Sequence, residues 1–201
     1  MNEIHENPNL IFKNINKLLN IGVTDRNHPF HTPIFSTINE LNSISARVVV
    51  LRKYDEYFRV LNFHTDFRSS KIYELTSNHS SYFVFYDHKI KIQLRIKTHS
   101  IIHNRNAISK KAWEDTKLQS RKCYLTKKNP SSKTTKPEDG LPKHLQGIDP
   151  TKEESESGYE NFTVIENVIN NIDYLYLAAS GHRRLNISFK KNEPKFDWII
   201  P

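Results

Sequence analysis

Ile90, Ile92, Leu94 and Ile96 alternate without a break with Lys91, Gln93, Arg95 and Lys97. Successive side chains of a strand point to opposite faces, so only an extended chain buries the first set and wets the second. This stretch therefore commits the chain to a sheet with one covered face. Nearby segments have the same character. Tyr82 to Tyr86 is an aromatic strand turned by Asp87-His88-Lys89, and Phe162 to Glu166, Tyr174 to Ala178 and Leu185 to Phe189 are further strands. Gly181 and Asn192-Glu193-Pro194 mark turns.

Upstream, Ala46 to Leu51 is apolar except for Arg47, the pattern of a strand covered on both faces. Tyr54-Asp55-Glu56 breaks it and Tyr57 to Phe63 resumes it, which predicts an antiparallel hairpin. Ile34 to Ile38, preceded by Pro33, suits an edge strand, with a turn over Asn39 to Ser43. Helices complete the outline. Asn7-Pro8 starts one that repeats Ile11, Ile15, Leu18 and Leu19 on one side. Lys71 to Asn78 forms a second, capped by Ser69 or Ser70, with Ile72 and Leu75 inward. Ser109 caps a third through Leu118, with Ala112 and Trp113 inward. Residues 125–160, rich in Lys, Glu, Ser, Thr and Pro, read as a long, partly mobile excursion that could close over a site. The whole is one mainly β domain with flanking helices, an α+β chain of 201 residues.

A net charge of +8 favours anionic partners: nucleic acid, a phosphorylated cofactor or an acidic surface. The start, MNEIHENPNL, has neither a basic nor an apolar leader region, and no later run is long enough to span a bilayer, so a cytoplasmic protein is expected. Cys123 is the lone cysteine and excludes an intrachain disulfide. His28 and His31 have no third ligand at a readable spacing, so no metal site is expected. Phosphate-loop, Rossmann and zinc spacings are absent.

Arg47, Arg52, Ser69, Ser70 and Lys71 could converge at the ends of the predicted hairpin. Guanidinium forks, hydroxyls and a helix start are what a phosphate dianion needs, although basic strand ends can also be plain solvated charge. Their order adds information. Arg47-Val-Val-Val-Leu-Arg52, Phe63-His64-Thr65-Asp66, Ser69-Ser70-Lys71, Phe83-Val84-Phe85-Tyr86 and Gln93-Leu94-Arg95-Ile96 together resemble the FMN-binding split barrel of the pyridoxamine 5′-phosphate oxidase family, from about Phe35 to His103.

The resemblance implies an antiparallel split β-barrel that forms a homodimer, with FMN in the grooves between subunits. It implies that Arg47, Ser70 and Lys71 hold the FMN phosphate and that Val48, Val49, Val50 and Leu51 offer backbone atoms to the isoalloxazine. Arg52 stands where the family has a lysine near flavin and substrate, His64 and Thr65 match a pair beside the cofactor, and Gln93 matches a flavin-bonding glutamine. The family's Ser-Arg-Lys reads Ser69-Ser70-Lys71, so Arg68 becomes the substitute for the missing arginine. His182-Arg183-Arg184-Leu185, Trp198 and Pro201 resemble the family's closing motif and put Arg184 with Arg52 at the substrate, whereas Asn186 and Ser188 depart from it.

The implied function is that of an FMN-dependent oxidoreductase for a small-molecule substrate. Two alternatives are a basic β-barrel that binds RNA or single-stranded DNA on an aromatic face, and a flavin-binding carrier or sensor without turnover. Arginines and aromatics are not interleaved in a recognisable nucleic-acid motif, which argues against the first.

Overall fold

The computed structural model describes residues 3–191 and 193–201. Helix α1 (Pro8–Thr24) is capped by the Asn7 side chain, which accepts from the amides of Asn9 and Leu10, and buries Ile11, Ile15, Leu18 and Leu19. Gly22 lies on its inner face because a Cβ there would meet the Phe30 backbone at 2.8 Å.

The strands β1 (Ile34–Ile38) and β2 (Ile44–Val48) form a hairpin around the Asn39–Ser43 turn, with Phe35 opposite Arg47 and Ile34 opposite Val48. This corrects the expected pairing of residues 46–51 with 57–63. It also corrects the expectation of two covered faces: Val48 is 63% exposed and Ile44 79%. The second hairpin joins β3 (Lys53–Asp55) to β4 (Val60–Asp66). Tyr54 and Asp55 are strand, and the turn holds Tyr57 and Phe58 in solvent. Aromatic residues next to Glu56 looked like a resumed strand because composition alone does not distinguish a turn from an edge.

Helix α2 (Ser70–Ser77) follows, with Ser69 at its N-cap position. β5 (Ser80–Asp87) pairs with β1 and with β6 (Ile92–Asn104). Ile90 belongs to the turn, and β6 runs on well past Lys97. Thr98 and Ser100 are buried there and bond Ser81 Oγ at 2.6 Å each. Ser100 Oγ donates to Asn167 Oδ1 at 2.7 Å, and Asn167 Nδ2 donates to the Leu61 carbonyl at 2.9 Å. Buried asparagine with its groups satisfied is tolerated inside a strand. That is why β7 (Phe162–Tyr176) is one continuous strand where the Asn-rich stretch suggested a break.

β7 pairs along one edge with β6, and along the other first with β4 and then with β8 (Arg183–Lys190). β8 is in turn paired with β9 (Glu193–Ile199). Glu193 and Pro194 thus begin a strand instead of ending a turn, and Asn192 lies outside the described residues. Among the described residues the strands form one nine-stranded antiparallel sheet that does not close. The segment after β2 spans the split: Val49 and Leu51 donate to the carbonyls of Pro33 and His31 at 3.0 and 2.9 Å, and Arg52 donates to that of Asn62 at 2.8 Å. This is a split barrel, filled by Phe35, Leu61, Phe63, Phe83, Phe85, Leu94 and Tyr174.

Helix α3 (Ala107–Glu114) is capped by Asn106 in a reciprocal box with Ser109, so the cap sits three residues before the expected one and the helix stops short of Leu118. α4 (Leu118–Arg121) continues the path. The excursion beyond is anchored more firmly than its composition suggested. Trp113, Tyr124, Phe162 and Val164 form a second core, and Leu145 and Ser155 are buried. The Arg121 guanidinium lies 4.5 Å from the Trp113 ring, donates to the Trp113 carbonyl and reaches Glu156 at 2.8 Å, just after Thr151 caps α5 (Lys152–Glu156). Among the described residues no helix is long and apolar enough to cross a membrane.

Candidate functional site

A cavity of about 1180 Å³ lies between the outer face of β4 and β7, the segment after β2, and a roof made by α3, α4 and the turn to Tyr124. That exceeds the ordinary range for small-molecule sites, roughly 300–1,000 Å³. Of the expected site residues, Arg47, Val48, Val49, Val50, Arg52, His64, Thr65 and Lys71 all line it. Leu51, Ser70, Gln93 and Arg184 do not.

Lys71 sits in the first turn of α2 and points its ammonium at two hydroxyls, Thr65 Oγ1 at 2.9 Å and Ser69 Oγ at 3.1 Å. Burial, followed by the Arg47 charge, pushes its pKa below the usual lysine value. Ser69 is fixed by donating to the Asp66 carbonyl at 2.7 Å. Ser69 is the serine bonded to the Lys71 ammonium, whereas Ser70 is exposed, and neither lines the cavity. Arg47 bonds Thr37 and Ser45 and pairs with Glu74 at 2.9 Å, the carboxylate being nearly buried. Two cations thus share one directly paired carboxylate, Glu74, at this end of the cavity. Such a pair, flanked by hydroxyls, fits a phosphate dianion.

Arg68 does not take the place of the missing arginine. Its guanidinium pairs with Asp66 at 2.6 Å and donates to Thr126 O and Oγ1 at 2.9 and 3.0 Å. It ties the β4–α2 turn to the excursion.

His64 lies edge-on to Phe162, with ring centroids 4.8 Å apart. Burial, with a smaller contribution from Arg52, pushes its pKa down to about 4, so it is neutral near pH 7. Arg52 is exposed at the cavity wall. Asn62, Glu166, Cys123 and Tyr124 also line the space, residues that no motif singled out. Their signal was the alternation of β4 and β7, which puts Asn62 and His64 on one face opposite Glu166 and Val164.

Gln93 and Arg184 lie elsewhere. On the sheet's outer face Tyr86, Gln93, Leu175 and Arg184 form one cross-strand row. Asp173, one row away, accepts from Arg184 at 2.8 and 3.1 Å and also pairs with Arg95. Burial opposes its ionisation, but the bonds from both arginines prevail and hold its pKa below the usual carboxylate value. The apolar side chains of Ile34, Ile44 and Val48 and the rings of Tyr82 and Tyr86 are exposed on this same face. Phe83 and Phe85 are fully buried, so β5 offers only its tyrosines outward. The histidines have local duties: His31 Nδ1 bonds the Gly22 carbonyl at 2.7 Å and His28 Nδ1 accepts from the Phe30 amide.

Residues 13–104 match the family model of the pyridoxamine 5′-phosphate oxidase FMN-binding domain. Among solved structures the chain is similar to a pyridoxamine 5′-phosphate oxidase-related, FMN-binding protein from Nostoc punctiforme, at 16% identity over 94% of this chain and 96% of that one, with a TM-score of 0.72. PhzG from Burkholderia lata, solved with tetrahydrophenazine-1-carboxylic acid, gives 15% identity over 100% and 97%, also at 0.72. A protein related to general stress protein 26 from Clostridium acetobutylicum gives 12% identity over 94% of each chain and a TM-score of 0.52. No curated protein matches. At such identities the likeness establishes the fold. Residues 13–104 are similar to the FMN-binding domain of pyridoxamine 5′-phosphate oxidase, and the strands that follow complete the split barrel.

Proposed function

We propose that this protein is an FMN-dependent oxidoreductase acting on a small molecule, with its 201 residues forming a single domain. The observation that carries the reading is Lys71: a half-buried ammonium beside Arg47, bonded only to hydroxyls, at one end of a cavity large enough for a flavin. In this reading Lys71, Arg47, Thr65 and Ser69 hold the FMN phosphate, and the backbone of Val48, Val49 and Val50 borders the isoalloxazine. When bound, FMN supplies the electron-accepting chemistry. Arg52 provides positive charge where negative charge develops on the ring, and α3 and α4 exclude water from above. The lone Cys123 is compatible with a reducing, cytoplasmic compartment.

The active unit is a homodimer in this proposal. Support comes from the exposed apolar side chains of Ile34, Ile44 and Val48, on the same outer face as Gln93 and Arg184. Those two residues, remote from their own chain's cavity, would act at the partner's. The experiment is to purify the protein with FMN, record its absorption spectrum, and offer pyridoxamine and pyridoxine 5′-phosphates under air. Bleaching and reoxidation of the flavin support an enzyme. A flavin that binds but is reduced by neither substrate favours the carrier or sensor reading, and a protein that cannot be loaded with FMN defeats both.

A further inference from the structure

A second cavity, of about 420 Å³, adjoins the first: His64, Thr65, Cys123 and Tyr124 line both. The rest of its wall is Asp66, at the end of β4, and the first part of the excursion, between Thr126 and Gly140. Thr65 puts this annex next to the phosphate end, because its Oγ1 is the atom that accepts from Lys71 Nζ at 2.9 Å. The enclosing loop is fastened where it leaves the body of the protein. Arg68, paired with Asp66, donates to Thr126 O and Oγ1, and the Lys127 amide donates to the Gly140 carbonyl at 3.1 Å. Its two ends therefore meet, as in a compact Ω-type loop, and the annex is a formed part of the fold.

The chemistry of the wall selects the occupant. Among the described residues that line the annex, Lys128 is the one lysine or arginine, and it is already paired with Glu138 at 2.6 Å. Asp66 and Asp139 add further carboxylates, and burial keeps His64 uncharged near pH 7. An additional anion would be repelled here, whereas a neutral group that carries hydroxyls and an amine meets acceptors. Asp139 Oδ1 accepts from the Leu141 amide at 2.9 Å, and Oδ2 has no partner among the described residues, so it is open to the hydroxyls of a ribose. Thr134 adds a hydroxyl, and Tyr124 and Pro130 supply surface for a flat ring.

A ligand whose phosphate sits at Lys71 and whose chain continues past Thr65 thus ends among groups that suit a neutral nucleoside. We propose that the annex holds the adenosine of FAD, with the flavin half of the same molecule in the main cavity. The proposal rests on reading Lys71 and Arg47 as the flavin-phosphate site, and it adds a second form of the cofactor. The pyrophosphate of FAD and the terminal phosphate of FMN each carry about two negative charges, so the same cations balance either. The annex is also of ordinary size for a small-molecule site, roughly 300–1,000 Å³.

The test is titration of the flavin-free, full-length protein with FMN and with FAD purified free of FMN, followed by chromatography to show that the bound FAD is intact. FAD should bind at least as tightly as FMN. Thr134→Trp, which fills the annex, and Asp139→Ala, which removes the ribose acceptor, should each weaken FAD at least tenfold. FMN affinity of both variants should stay within twofold of wild type, which shows that they are folded. FMN binding with weaker FAD binding overturns the annex while the phosphate reading stands. So does FAD affinity that either variant leaves unchanged or lowers only in step with that of FMN. Binding of neither flavin to the wild type rejects the phosphate reading, and the annex falls with it.

Discussion

At the scale of single residues, the account turns on where charge is left over. The Lys71 ammonium is surrounded by Thr65 and Ser69, whose hydroxyls are weak partners for a cation held partly out of water. Replacing Lys71 by alanine should cost FMN binding about 1.5–3 kcal/mol, the usual worth of a charged hydrogen bond, and this is read by fluorescence titration. His64 makes a prediction of opposite electrostatic sense. Its folded pKa of about 4 lies below the 6.5 of an ordinary imidazole. The unfolded chain therefore binds the proton more readily, so the stability His64 contributes is complete above about pH 6.5 and is lost as pH falls towards 4. Denaturant midpoints should drop over that window by an amount equivalent to about 1–3 kcal/mol, and His64→Phe should remove this part of the slope. A slope unchanged in the variant would show that the imidazole is not buried.

At the scale of elements, the roof over the cavity depends on a small core of its own. Trp113, Tyr124, Phe162 and Val164 pack together, and the Arg121 guanidinium lies over the indole while bonding the chain on either side. Trp113→Ala should cost about 3–5 kcal/mol and increase hydrogen exchange in α3 and α4 before that in β6 and β7. Gly22→Ala should destabilise by about 1–3 kcal/mol in thermal melts, because its methyl group would press on the Phe30 backbone. The alternation at Ile92 to Ile96 made β6 readable, and Asn7-Pro8 made α1 readable. β9 was not, since Pro194 is a turn signal that tolerates a sheet edge. The Asn-rich middle of β7 hid its continuity because the partners that satisfy Asn167, Ser100 and the Leu61 carbonyl, lie far away in sequence. For the site, the order of Arg47, Thr65 and Lys71 pointed to one end of a cavity. Asn62 and Glu166 carried no motif and became visible only through strand register.

At the scale of the whole molecule, the sheet is open, and its outer face carries both apolar surface and the Arg95–Asp173–Arg184 cluster. A lone copy would leave Ile44, Val48 and the Tyr82 and Tyr86 rings in water. Ile44→Asp should convert a dimer to a monomer in sedimentation equilibrium and weaken FMN binding together with it; a variant that stays dimeric, or a wild type that is monomeric with full FMN affinity, would separate the cofactor site from assembly. The central claim is narrower than assembly or turnover: Lys71 at the start of α2, with Arg47 on β2, recognises a phosphate on a flavin. Its most direct test is a parallel titration of the flavin-free, full-length protein with FMN and with riboflavin, which differ only by that phosphate. The account predicts that FMN binds at least tenfold more tightly and that Lys71→Ala removes most of the difference. Equal affinity for the two, or a difference that survives loss of Lys71, would contradict it.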